Sequence, residues 1–271
     1  MHFHRLPMAI SHRFLRKTVL VTGGCGGIGS AIVARFFAEG ATVFSIDTQA
    51  ATPEWTAMLS QLPAPLKNQP LPRVLTCDVT SRAAAEAVVA DAASLAPVPP
   101  TVLVNNHAAF VFKSVGDASD ADWDRVLGAN VKGYANTIAA SLPYMKRAGG
   151  GSIVNVSSVS AFFLQSGFVP YSTSKAAQLH LTRLVAHDEG RHNVRVNAVA
   201  PGFIFTEGTK KHAAGVGQTV QRVCDEMARD TIMKRMGTPI EVANAVAFLA
   251  SEEASFITGA TLSVDGGTYP R

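Results

Sequence analysis

Cysteine is scarce in this chain of 271 residues: Cys25, Cys77 and Cys224 are the only three, and no two form a CxxC pair. An odd, scattered set excludes a disulfide-stapled scaffold and a cysteine-built zinc site, and it fits a reducing compartment. Long apolar runs are also missing, since none approaches the ~18 residues that a membrane span needs. The eight histidines show no HxxxH pair, and the only HxH is His2/His4; no metal site is expected. The net charge is +4, but the basic residues form no long cluster, so no nucleic-acid partner is expected. Charged residues are few at 16%, hydrophobic ones reach 47%, and Gly (22) and Pro (14) are ordinary. This excludes disordered, collagen-like and coiled-coil chains and leaves a globular fold long enough to bury its own core.

Acidic residues are absent before Glu39, whereas Arg5, Arg13, Arg16 and Lys17 precede it. Such a start has the character of an organelle-targeting leader, but Pro7 interrupts it. The expectation is an N-terminal extension over residues 1–16 of a cytoplasmic protein, with an organellar leader as the minor alternative. One dinucleotide-binding and catalytic domain should then fill 17–271.

What the sequence does have is alternation. Short β-branched runs at 18–22, 42–46, 74–77, 101–105, 152–157, 194–199 and 261–264 are nearly continuous in apolar residues, as strands covered on both faces are. Helical patterns lie between them. Ile28, Ile32 and Phe36 share one face ahead of Gly40. Ser119 can cap a helix with Asp122, followed by a Trp123, Val126, Leu127, Val131 stripe. Further helices are expected at about 172–189 and 239–250, and a loose helix with a long loop at 50–72. The pattern predicts an α/β fold: a doubly wound (Rossmann) sheet of seven parallel strands with helices on both faces. Residues 203–237 contain no strand and are long for a connection, which predicts a substrate lid.

The first strand runs into Thr22-Gly23-Gly24-Cys25-Gly26-Gly27-Ile28-Gly29. Glycines there let the backbone turn sharply, approach a pyrophosphate and aim the N–H groups of the next helix at it. GxGxxG, GxxGxxG and TGxxxGxG all fit, so the spacing names no family. Cys25 reads chiefly as a small residue filling this turn, although a helix N-terminus stabilises thiolates. Asp47 ends the second strand, 24 residues after Gly23. A carboxylate there can accept from the adenosine ribose hydroxyls and repels a 2′-phosphate; no Arg or Lys nearby offsets it. NAD is therefore expected over NADP.

Tyr171 and Lys175 are spaced four apart in Tyr-Ser-Thr-Ser-Lys, on one face of a helix start. Ser158 ends a strand 13 residues before Tyr171. Ligands of open α/β sheets bind beyond the carboxyl ends of the strands, where hydroxyl, phenol and ammonium can converge. A phenol with pKa ~10 is a poor base at neutral pH. An ammonium ~5 Å away is worth about two pKa units at an effective dielectric of ~20. Tyr171 is then a general base for alcohol oxidation and a general acid for reduction, with Ser158 holding the substrate oxygen. Apolar residues follow Ser158 (Phe162, Phe163, Leu164) and open the lid (Phe203, Ile204, Phe205). They point to a secondary alcohol or its ketone on a fairly apolar carbon skeleton.

These motifs resemble the single-domain branch of the short-chain dehydrogenase/reductase family. The likeness runs from about Lys17 to the C-terminus. It rests on the 22–29 turn, Cys77-Asp78-Val79, Asn105-Asn106-His107-Ala108, Asn130, Ser158, Tyr171-Ser-Thr-Ser-Lys175, Arg195-Val196-Asn197, Pro201-Gly202, Ile257-Thr258-Gly259 and Asp265-Gly266-Gly267. The resemblance implies a catalytic tetrad of Asn130, Ser158, Tyr171 and Lys175, in which Asn130 holds a water that links Lys175 to solvent. It implies cofactor contacts from Gly23, Cys25, Gly27, Ile28, Gly29, Asp47, Asp78, Val79, Asn105, Tyr171, Lys175, Pro201, Gly202, Ile204 and Thr206. It also implies strand order 3-2-1-4-5-6-7 and a homotetramer, or failing that a homodimer, with the 172–189 helix against a partner. The runner-up activity is an NADPH-dependent 3-oxoacyl or ketone reductase, and the less favoured alternative a non-catalytic dinucleotide sensor. One departure stands out: the family usually has Asn-Asn-Ala-Gly where this chain has Asn105-Asn106-His107-Ala108. The added ring either repacks the pocket floor, the favoured reading, or reshapes it; losing the Gly removes easy access to positive φ.

Overall fold

The computed structural model describes residues 12–60, 62 and 69–268. Seven parallel strands form one sheet in the order β3-β2-β1-β4-β5-β6-β7. They are β1 (Thr18–Thr22), β2 (Thr42–Asp47), β3 (Arg73–Thr76), β4 (Pro100–Asn105), β5 (Gly151–Val156), β6 (Val194–Pro201) and β7 (Thr261–Val264). Side chains alternate between the two faces and both are buried. Val19, Val21, Val102, Val104, Val154 and Val156 meet Ile32, Val33 and Phe36 of α1 (Gly27–Ala38) and Val242 and Val246 of α9 (Pro239–Ala250). Leu20, Leu103, Ile153 and Val196 face the other way. They pack with Val88 and Val89 of α3 (Arg82–Leu95), Ile138 and Met145 of α5 (Tyr134–Arg147) and Ala186 of α6 (Val169–Glu189).

The 50–72 segment contains α2 (Pro53–Ser60); residues 61 and 63–68 of its expected loop lie outside the described residues. Of the expected 1–16 extension only 12–16 are described. There Phe14 is 1% exposed and meets Phe36 edge-on at 4.6 Å, and Arg13 pairs with buried Glu39 at 2.6 Å. Helix α6 begins three residues before the expected 172, because Pro170 suits its first turn. Residues 203–237 carry α7 (Glu207–Gly215) and α8 (Val220–Arg229), closed at the base by a bridge between Ile204 and Gly237.

Ser119 caps α4 (Asp120–Leu127): its Oγ accepts from Asp122 N at 3.3 Å, and Asp122 Oδ2 accepts from Ser119 N at 2.9 Å. The helix then widens into one π turn, Gly128–Gly133, before α5. The apolar stripe through Val131 keeps ordinary helical spacing and so gave no sign of this π turn.

Candidate active site

Strand β1 pairs with β2 on one side and β4 on the other, so its carboxyl end is the point where the winding reverses and a crevice opens. Gly23 turns the chain there with φ +64°, and its N–H donates to Ile46 O at 2.8 Å. A Cβ on Gly23 would come within 2.8 Å of His107 Cα, and one on Gly29 would strike the Gly23 carbonyl. Helix α1 has no side-chain cap and no acid in its first turn, and a Cβ on its Gly26 cap would meet nothing nearer than 3.5 Å. That leaves unsatisfied N–H groups and open space, which fits a dinucleotide pyrophosphate. Thr206 lies across from this turn, its Cβ 3.0 Å from where a Gly27 Cβ would be. Gly202, at the end of β6, must stay bare because a Cβ there would meet Asp265 Cα at 2.8 Å.

Asp47 Oδ2 accepts from Cys25 N at 3.1 Å and Oδ1 from Gln49 N at 3.2 Å, so the carboxylate braces the turn and keeps lone pairs free. The Cys25 thiol is pushed up, first by burial, so it is not an activated thiolate. Asp78 accepts from Thr80 N at 3.0 Å, which holds its carboxyl below the ordinary range. Asn105 is fully buried with its amide spent: Oδ1 accepts from Thr137 Oγ1 at 2.6 Å and Nδ2 donates to Asn155 Oδ1 at 3.0 Å.

Tyr171 and Lys175 stand on the first turns of α6 with Lys175 Nζ 5.6 Å from the Tyr171 ring centre. The Ser158 hydroxyl faces the Tyr171 phenol and favours its ionised form. Ser158 also accepts from Ser160 N at 3.1 Å, which turns the chain after β5. Asn130 sits in the π turn and clamps the loop after β4: Oδ1 accepts from Ala109 N at 2.7 Å and Nδ2 donates to Ala109 O at 2.9 Å. Nδ2 also donates to Ser174 Oγ at 2.9 Å, tying the π turn to α6.

The electrostatics differ from the expectation that Lys175 draws the Tyr171 pKa down. Burial pushes the Tyr171 phenol up to about 12, opposed only by the Ser158 hydroxyl. Burial pushes Lys175 down to about 7, so near neutral pH its charge is only partly present. Losing water disfavours both phenolate and ammonium, and without a counter-charge that effect exceeds their mutual attraction.

His107 fills the space between the glycine turn and the π turn. Its Nε2 lies 3.0 Å from Ala129 O and its Nδ1 2.6 Å from Thr22 Oγ1. A carbonyl can only accept, so Nε2 carries the proton. Burial lowers the ring pKa to about 4, so it is neutral and Nδ1 accepts from the Thr22 hydroxyl. Gly133 makes room, since a Cβ there would stand 2.7 Å from His107 Nε2. Neither His107 nor Ala108 has positive φ, so the missing Gly strains nothing.

Sequence reasoning missed three residues. Phe110 and Phe112, 54% and 53% exposed, lie against Tyr171 with ring centres 5.2 and 5.6 Å away. Their place just past the carboxyl end of β4 was the available signal. The third, Gln178, touches both Lys175 and the Asn130 carbonyl.

A crevice with these fittings is that of an oxidoreductase that works with a dinucleotide. Comparison with known proteins agrees. A family model described as Enoyl-(Acyl carrier protein) reductase matches residues 23–269. The (3R)-3-hydroxyacyl-CoA dehydrogenase of Mus musculus is 35% identical over 265 residues, 97% of this chain and 100% of the relative. The 3-oxoacyl-[acyl-carrier-protein] reductase FabG of Thermotoga maritima is 36% identical over 256 residues, 93% and 97% of the two chains. The ligand-free aldohexose dehydrogenase of Thermoplasma acidophilum superposes with a TM-score of 0.83 at 34% identity, covering 96% of each chain. This chain belongs to the short-chain dehydrogenase/reductase family and is an oxidoreductase acting on hydroxyl groups with a nicotinamide dinucleotide.

Proposed function

We propose that the protein interconverts a secondary alcohol and its ketone with NAD(H), on a substrate with a fairly apolar skeleton. The observation that carries this reading is Lys175 Nζ 5.6 Å from the Tyr171 ring centre, with the Ser158 hydroxyl acting on the same phenol. The nicotinamide, when bound, supplies the hydride acceptor or donor. Ser158 holds the substrate oxygen as its charge changes. Tyr171 takes the alcohol proton in oxidation and returns one in reduction. In its ammonium form Lys175 stabilises the phenolate that begins the oxidation and remains at the end of the reduction. Asn130 fixes the backbone at Ala109 and so the wall that carries Phe110.

Asp47 supports NAD over NADP, because its carboxylate stands at the end of β2 with no basic residue in the glycine turn or just after it. Phe110, Phe112, Leu164 and Phe205, all more than a third exposed, support an apolar substrate. The helices of 203–237 act as its lid over one catalytic unit spanning 17–271, and α6 is the helix through which we expect a tetramer, or else a dimer, to form. Cys25, Cys77 and Cys224 are free thiols, in keeping with a reducing, cytoplasmic setting. An NADPH-dependent 3-oxoacyl reductase is the second reading, favoured by the likeness to the two acyl-processing relatives.

A panel of alcohols and ketones with both cofactors, followed at the reduced-nicotinamide absorbance, tests the proposal. The expected result is turnover of apolar secondary alcohols with NAD. Tyr171→Phe should retain cofactor binding while kcat falls by on the order of 10²–10⁴. Turnover confined to small charged hydroxy acids, or a Tyr171→Phe protein with normal kcat, contradicts it.

A further inference from the structure

Gln178 lies one turn beyond Lys175 on α6 and is 0% exposed. Its Nε2 donates to the backbone carbonyl of Asn130 at 2.7 Å, and its Oε1 accepts from Lys175 Nζ at 3.1 Å. The partners fix which way the amide points. A carbonyl only accepts, so the NH₂ faces Asn130; an ammonium only donates, so the oxygen faces Lys175. Lys175 spends a second N–H on Val156 O at 3.1 Å, which leaves one for the Tyr171 side of the crevice. The Asn130 side chain is occupied by Ala109 and Ser174, so Asn130 reaches Lys175 through its carbonyl and through Gln178.

We propose that Gln178 is a positioning residue for the Tyr171–Lys175 pair: its carboxamide bridges the Asn130 carbonyl and Lys175 Nζ, aims the ammonium and sustains its charge. This rests on the reading of Tyr171 and Lys175 as the proton-transfer pair. The bridge stands where the family resemblance places a water. The two are not equivalent. Water passes a proton by accepting one and releasing another. An amide that accepted on oxygen and released from nitrogen would be left as its imidic-acid tautomer, so this bridge orients Lys175 without conducting.

Few charges compete for control of Lys175. Among the described residues, the titratable groups facing it are Tyr171 on its own helix, Tyr134 from α5 with its ring centre 6.0 Å from Nζ, and His107 from the loop after β4, which feels the Lys175 charge. Strand β5 contributes a carbonyl, and the π turn the neutral Asn130. Burial already drives Lys175 toward neutrality. An acceptor on the ammonium opposes that directly.

Gln178→Leu removes the acceptor at similar volume, and Gln178→Glu keeps the shape and adds charge. The first readout needs no cofactor: Tm between pH 5 and 10 for each variant, minus the same series in a Lys175→Met background. Stability owed to Lys175 rises with pH from the point where the folded chain loses that proton. We expect this onset to move down by at least about one pH unit in Gln178→Leu and up in Gln178→Glu. The second readout is the pH profile of kcat/KM with NAD and the alcohol turned over best, whose basic limb should shift in the same directions. An unmoved onset and limb in both variants, with only a uniform loss of stability or rate, would overturn the proposal. Should Gln178→Leu not fold, Gln178→Glu decides alone, and an unmoved onset in it refutes the bridge. If wild type turns over no alcohol, the functional reading fails while the Tm series still judges the Gln178–Lys175 link.

Discussion

Replacing Asp47 by Asn removes one negative charge from the end of β2 and leaves an oxygen that can still accept from Cys25 N, now 3.1 Å from Oδ2. The turn should therefore survive, and the change isolates charge. Two unit charges 4 Å apart repel by ~4 kcal/mol at an effective dielectric of ~20 and ~1 kcal/mol in bulk water. Asp47 is half-buried at the rim of the crevice, where solvent and salt screen it, so ~1–2 kcal/mol is the fitting range. That corresponds to NADP binding about 5–30-fold tighter in Asp47→Asn. NAD should bind several-fold weaker, because a neutral amide oxygen is a poorer acceptor for ribose hydroxyls than a carboxylate. Titration calorimetry of wild type and variant with both cofactors, at low and at physiological salt, gives the four constants needed. The gain for NADP should shrink as salt rises. Wild-type protein that binds NADP more tightly than NAD, or an unchanged NAD/NADP ratio in the variant, would refute the argument and favour the NADPH reductase reading.

Two further outcomes follow from the packing. His107 has its folded pKa lowered from 6.5 to about 4, so between those values the unfolded chain holds a proton that the folded chain lacks. Stability should therefore fall as pH drops from 6.5 toward 4, by up to on the order of 3 kcal/mol. Denaturant unfolding across that window should show it, and His107→Asn should flatten the curve; an unchanged slope would mean the ring is not buried neutral. Phe36→Ala should destabilise by about 3–5 kcal/mol, since Phe36 is 0% exposed and packs on Phe14 beneath the sheet. Urea unfolding measures it, and a loss below about 1 kcal/mol would mean that this side of the core collapses around the gap.

The alternation of β-branched runs and helical stripes carried the seven parallel strands and the two covered faces, because these follow from local periodicity and from burial on both sides, whereas the strand order rested on the family resemblance. The 22–29 turn was equally legible: Gly23 adopts positive φ and Gly29 has no room for a Cβ, requirements that only glycine meets. Spacing along a helix also placed Tyr171 and Lys175 on one face, since four residues are about one turn. Pairwise spacing reaches no further than that. The seat of His107 between Thr22 and Ala129, the Phe110 and Phe112 rings against Tyr171 and the Gln178 bridge join segments 22 to 85 residues apart, and the π turn under Asn130 shifts a helix by one residue. The sign of the Tyr171 and Lys175 pKa shifts belongs with them. A phenol and an ammonium four positions apart announce attraction, but how strongly each is stripped of water depends on α5, the π turn and the strand ends packed around them. Composition and order set which groups the crevice contains; only the enclosing fold set the dielectric in which they titrate.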